Sequence, residues 1–198
     1  TIDQALLLTA NKKVLIKGVN PTISTSHGIG RIKYSGEFNV YGNVMSLVYG
    51  DNFVDQTTMN DYQFESLFDS LWLESYLISA ENLILPTTLT TCCYMGMFKG
   101  CASLTTAPAL PATTLANDCY NDMFAYCTSL TTAPVLSATT LVSECYRTMF
   151  AGCTSLTTAP ELPATTLAYA CYSTMFSGCK AIKVITILAT DISAGYCL

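Results

Sequence analysis

Ten cysteines carry most of the latent chemistry in this sequence. Eight of them fall in two series spaced by 26 residues: Cys93, Cys119, Cys145, Cys171 and Cys101, Cys127, Cys153, Cys179. Zinc would need thiolates gathered tetrahedrally by short loops. Cys93 and Cys101 are eight residues apart, and on one helix that is roughly 12 Å of rise. A disulfide needs Cα atoms within about 7 Å, and equivalent residues on adjacent helices lie about 8–10 Å apart. The cysteines therefore read as small buried thiols that fill a core. A vicinal Cys92–Cys93 bond is the one pairing left open. His27 is the single histidine, in Thr-Ser-His-Gly-Ile-Gly, with no partner base in sequence. The pair Gly28 and Gly30 is too little for a phosphate loop, so this stretch reads as a turn. The acidic residues between 51 and 81 lack the EF-hand order and read as a solvated cap face. No nucleophile–base pair or metal constellation is present in the sequence. The expectation is a protein that is not an enzyme and needs no cofactor or metal.

Charge narrows the partners. Residues 1–50 carry a net +3, residues 51–90 a net −7 and residues 91–198 a net −1. No basic stripe exists to displace phosphate counterions, which argues against nucleic acid. Only 12% of residues are charged, and threonine supplies the missing polarity. Residues 162–179 form an 18-residue stretch without charge, but it holds Pro163 and several Thr and Ser residues. A spanning helix needs about 20 mainly apolar residues, so no transmembrane segment is expected. The chain begins at Thr1 without an initiator methionine. That reads as a processed or trimmed form whose export signal would lie upstream.

The elements that place the cysteines follow from one period. Tyr94, Tyr120, Tyr146 and Tyr172 are spaced by 26, as are Phe98, Phe124, Phe150 and Phe176, each preceded by Met. Four series in one register define a 26-residue repeat running from about Leu85 to Cys179. In its first half, Leu141, Cys145, Tyr146, Met149, Phe150 and Cys153 fall on one face of a 3.6-residue helix. Thr91, Asn117 and Ser143 stand where an N-cap belongs, and Asp118 and Glu144 follow in the first turn. Gly100, Gly152 and Gly178 sit where a left-handed C-terminal residue is expected. The spacing predicts one helix of two to three turns per unit. The second half, Ser-Leu-Thr-Thr-Ala-Pro and onward, is threonine-rich and punctuated by Pro108, Pro134 and Pro160, which excludes helix and favours short strand. One helix and one strand per unit is an α/β repeat, a leucine-rich-repeat solenoid in which units share a continuous core. Its core is read as Tyr94, Phe98, Tyr120, Phe124, Tyr146, Phe150, Tyr172 and Phe176, with Cys101, Cys127, Cys153 and Cys179.

Two regions flank the repeats. Residues 56–90 read as a degenerate first unit of a solenoid spanning 56–198, with Leu77, Ala80, Leu85 and Leu89 echoing Leu104, Ala107, Leu110 and Leu115. Trp72 and the acids occur there and in no later unit, as suits a terminal repeat. Residues 1–55 do not repeat and read as a small β-rich N-terminal cap, with strands at Val14–Lys17, Gly36–Tyr41 and Met45–Tyr49. Residues 188–198 read as an incomplete last unit, in which the Cys-Tyr order inverts to Tyr196-Cys197.

The run Met-Phe-x-x-Cys-x-Ser-Leu-Thr-Thr at Met149–Thr158, with its copies, resembles the BspA-like leucine-rich repeats. The stretch from Gly36 to Asp51 is similar to the N-terminal segment of such proteins from gut Bacteroidetes. The unit here is 26 residues, longer than many BspA-like units, so the turn beside Pro111 or Pro163 should be longer. Asp69-Ser70-Leu71 resembles the short O-glycosylation signal of the same bacteria. The resemblance implies a secreted or cell-surface protein that binds a host or cell-surface protein or glycan in adhesion. It also extends to repeats carried by phages, which implies a virion appendage or decoration protein as the alternative. The strand side is the expected contact face, at Thr106, Thr132, Thr158 and at Ala109, Val135, Glu161. A face that varies so little suits avid contact, glycan contact, self-assembly or simple spacing.

Overall fold

The computed structural model describes residues 36–70 and 76–198. The strand expected at Val14–Lys17, His27 and Trp72 lie outside them.

The chain stacks on itself with a 26-residue period, and it does so with little regular secondary structure. The named elements are β1 (Phe38–Asn43), a one-turn α1 (Ser46–Tyr49) with a 3₁₀ turn after it (Gly50–Asn52), and β2 (Leu77–Ile84). β1 and β2 are parallel, with Phe38 opposite Leu77 and Asn43 opposite Ile84. Beyond β2 the stack continues through single parallel bridges, Ser79 to Thr106, Thr132 to Thr158, Thr140 to Thr166 and Thr166 to Asp191. Proline at every unit and paired threonines keep this side extended while limiting longer ladders.

The strand expected at Met45–Tyr49 is a helical turn instead. The Asn43 side chain accepts the Met45 N–H at 2.9 Å and folds the chain back. Met45 and Val48, three apart, are then both buried. A strand would have sent them to opposite faces.

The other half of each unit corrects the helix expectation. Residues 91–101, 117–127, 143–153 and 169–179 form a ribbon of consecutive turns, not an α-helix. Alternate N–H groups bond within the ribbon to the carbonyl three residues back: Cys119 to Ala116, Asn121 to Asp118, Met123 to Tyr120, Ala125 to Asp122 and Cys127 to Phe124. The N–H groups in between leave the ribbon for the next unit. Asp118 donates to Ser143, Tyr120 to Cys145, Asp122 to Arg147, Phe124 to Met149 and Tyr126 to Ala151. Every fourth residue takes a left-handed φ, at Asp118, Asp122 and Tyr126, at Glu144, Thr148 and Gly152, and at Ala170, Thr174 and Gly178. Burial has the same period: Cys119-Tyr120, Met123-Phe124 and Cys127 point inward.

Two side-chain facts explain why this ribbon wins over a helix. Buried rings stack directly on the rings of the next unit, with centroids 5.4–5.9 Å apart. Packed α-helices stand about 8–10 Å apart, too far for such contact. The strand side climbs by about 4.8 Å per rung, and a hydrogen-bonded ribbon matches that rise where a helix would fan the stack open. Left-handed φ at a non-glycine residue costs roughly 1–2 kcal/mol. The inter-unit hydrogen bonds and ring contacts offset it.

Those inter-unit bonds join into continuous chains of peptide groups. One runs Phe64 N–H to Cys93 C=O, Tyr94 to Cys119, Tyr120 to Cys145, Tyr146 to Cys171 and Tyr172 to Cys197. In each link the donor and the previous acceptor belong to the same peptide plane. Four parallel chains run beside it, beginning at the N–H groups of Tyr62, Ser66, Phe68 and Ser70.

Candidate binding face

The interior is built from the residues with the most reactive side chains, and its geometry disarms them. Two aromatic columns run through the stack: Phe64, Tyr94, Tyr120, Tyr146, Tyr172, and Phe68, Phe98, Phe124, Phe150, Phe176. Adjacent planes are within 13° of parallel. All these rings are buried except Phe176, which is half-buried. Parallel rings at this separation are offset-stacked, the arrangement that aromatic quadrupoles favour.

The cysteines fill the gaps beside these columns, and all ten are free thiols. Cys101, Cys127, Cys153 and Cys179 each donate to a phenylalanine carbonyl of the preceding unit, at 3.0–3.1 Å from Phe68, Phe98, Phe124 and Phe150. Those carbonyls from Phe98 onward also accept an N–H from their own ribbon, so both lone pairs are used. Burial pushes the Cys93, Cys145 and Cys153 thiols up to about 12. It raises Cys119 and Cys127 well above the ordinary range as well. The thiolate is the nucleophile and the metal ligand, and this interior disfavours it. Among the described residues, no group of three or more His, Cys, Asp and Glu side chains is arranged to hold a metal ion. The Tyr94 hydroxyl donates to the Met59 thioether at 3.6 Å. Those of Tyr120 and Tyr172 are buried with no hydrogen-bond partner among the described residues.

Sequence reasoning missed three members of this interior. Phe64 and Phe68 are the first rungs, but they precede Tyr94 and Phe98 by 30 residues, which hides them from a search at 26. The signal was the local match of Gln-Phe-Glu-Ser-Leu-Phe to Cys-Tyr-Met-Gly-Met-Phe. Cys197 lies 26 after Cys171, and Tyr172 donates to its carbonyl as Tyr146 does to that of Cys171. Tyr196 takes the left-handed position of Ala170 and Glu144. The apparent inversion at Tyr196-Cys197 is therefore the regular register, with Leu198 in the tyrosine place.

The solvent side is where a partner can be met. Thr106, Thr132 and Thr158 are exposed in one column, and Ala109, Val135 and Glu161 in another. Val135 is 76% exposed. The structure adds columns that sequence reasoning did not single out. Thr105, Thr131 and Thr157 are exposed beside the first. Thr87, Thr113, Thr139, Thr165 and Thr190 form a five-rung column, flanked by Thr88, Thr114, Thr140, Thr166 and then Asp191. Their 26-residue spacing was the available signal. The residues between them, Leu104, Leu110, Ala112 and Leu115 in one unit, point inward. Thr105 anchors the edge by donating its hydroxyl to the Ile78 carbonyl at 3.0 Å. Two shallow, open hollows border this face, one at Thr157, Thr158 and Lys183, the other at Asn82, Ile84 and Ala109. Charge on it is confined to Glu81, Glu161, Lys183 and Asp191. No helix of the described residues is long and apolar enough to cross a membrane.

Comparison with models of known families, with curated proteins and with solved structures gave no match to this chain.

Proposed function

We propose that this chain is a non-catalytic extracellular or cell-surface binding module, and that it meets a glycan or a host or cell-surface protein along its threonine face. The repeat is a variant of the BspA-like leucine-rich repeat in which a turn ribbon replaces the helix. Its 26-residue unit, Met-Phe pair, cysteine and leucine positions support that assignment. The observation that carries the function is the face itself. Columns of exposed threonine repeat at one strand spacing, nearly without charge, on a backbone locked by hydrogen bonds. Each position offers a methyl and a hydroxyl, which suits a ligand that is itself extended and repetitive. Single contacts of this kind are weak, and several in register multiply through effective concentration.

The test is a glycan and host-protein array probed with the whole chain and with a Thr132→Lys/Thr140→Lys variant, both on the central rungs. The reading expects at least one ligand, with affinity reduced by about tenfold or more in the variant, a loss of roughly 1.4 kcal/mol. Unchanged melting of the variant separates contact from folding. Absence of any ligand, or a variant that binds as well as the parent, sinks the proposal. The continuous peptide chains and ring columns favour a second reading, a stiff spacer in an appendage such as that of a phage. Concentration-dependent assembly of the chain in sedimentation, with no ligand found, would select it.

A further inference from the structure

We propose that the C-terminal face of the stack is an assembly edge, and that its occupant is one more run of the same ribbon pattern. The partner segment is defined chemically: Ser/Thr-x-Met-Phe-x-x-Cys, with carbonyls presented at alternate residues and a flat ring between them.

The case rests on the interface the chain makes with itself at every rung. In the ribbon of residues 143–153, the N–H groups of Thr148, Phe150 and Gly152 donate to the carbonyls of Ser173, Met175 and Ser177. The same three places in the last described ribbon are Thr174, Phe176 and Gly178, and among the described residues their N–H groups have no backbone acceptor. They form a comb of donors at every second residue, held in the conformation that meets a partner elsewhere. Thr174 and Gly178 keep the left-handed φ of that conformation, 53° and 76°.

Side chains agree with the backbone. Phe176 stacks on Phe150 on one side only and is half-buried, where Phe98, Phe124 and Phe150 are fully buried. Cys179 is half-buried where Cys153 is buried. Ile192 is 60% exposed, although Leu167 at the matching place is 8% exposed. Leu198 is 52% exposed in the place of Tyr172. Donors, ring and apolar residues thus lie together on one face, in the register of an interface already built several times in this molecule. A polar or charged partner would leave Phe176 and Ile192 in water, and a featureless apolar one would leave three donors unmet. The ribbon pattern satisfies both.

The experiment uses the full chain with a copy of residues 173–180 appended after Leu198, which is the register that Tyr172 and Cys197 define. Alkylation of Cys179 is followed by peptide mass spectrometry, and thermal unfolding by circular dichroism. The expected result is a Cys179 rate about tenfold lower, close to that of Cys153 in the same molecule, with a higher Tm. A second chain carries the same eight residues in scrambled order and is expected to match the unextended protein in both readouts. Unchanged Cys179 reactivity and Tm with the true copy overturn the proposal. So does equal protection by the scrambled tail. The outcome is independent of whether the threonine face binds a ligand.

Discussion

Raising the pH should unfold this protein from the inside, and the size of the effect can be worked from its thiols. Cys93, Cys145 and Cys153 are fully buried, and burial raises each from 9.0 to about 12. Cys119 and Cys127 are raised in the same sense. The folded state favours the neutral thiol, so the contribution is fully present below the unfolded pKa near 9. It is lost as pH rises from there toward 12. At pH 10, one unit above the unfolded value, each thiol withdraws about 1.4 kcal/mol. Five such thiols withdraw about 7 kcal/mol, comparable with the whole stability of a domain, about 5–15 kcal/mol. The assay is the guanidinium midpoint under reductant at pH 7.5, 9 and 10. It should hold to about pH 8.5, fall modestly by pH 9 and collapse by pH 10. Cys153→Ala gives the internal check. That variant starts less stable, having lost a packed sulfur and its bond to Phe124, yet between pH 8 and 10 it should lose about 1.4 kcal/mol less than the parent. A midpoint that stays level to pH 10, or a slope indifferent to Cys153, would refute the account of a protonated thiol core.

Two further substitutions probe the ring columns and the ribbon. Tyr120→Phe removes a buried hydroxyl that has no partner, at a place where Phe64 already serves in the first rung. Stability by denaturant titration should stay level or rise by up to about 1 kcal/mol. Gly152→Ala should cost at least about 2 kcal/mol, because φ is +73° and the new Cβ would stand 2.6 Å from Cδ1 of Tyr126. Adding Tyr126→Gly should recover much of that loss, which a double-mutant cycle reads directly.

The period, the units and the residues of the two columns were legible in the sequence, because stacking like on like forces identical letters at identical spacing. The ribbon was not. Cys145, Tyr146, Met149, Phe150 and Cys153 recur every four residues, and over nine residues a period of 4.0 and one of 3.6 select the same positions. Only the destination of the alternate N–H groups separates them, and backbone bonding leaves no mark on side-chain pattern. Asp118 and Asp122 were a faint clue, since aspartate tolerates left-handed φ, but Asp118 followed by hydrophobic residues also reads as a helix first turn. The glycines at 100, 152 and 178 were rightly read as left-handed, φ 73–76°, although they end no helix. Phe64 and Phe68 escaped because the first unit is longer, and Cys197 because its neighbour in the tyrosine column is a leucine.

The chains of peptide groups have an electrical consequence. In each link the N–H points toward the C-terminal end of the stack and the C=O toward the N-terminal end. Every peptide unit carries a dipole of about 3.5 D, and aligned units add. In an α-helix such a sum runs along the chain. Here it runs across the chain, from coil to coil, and its positive pole lies at the C-terminal end. Side chains reinforce it: Asp61, Glu65 and Asp69 belong to the first ribbon, and Lys180 and Lys183 follow the last. The protein is therefore a polar rod whose field grows with each added unit. Near an anionic surface, and at ionic strength low enough for the field to reach it, the stack should approach C-terminal end first.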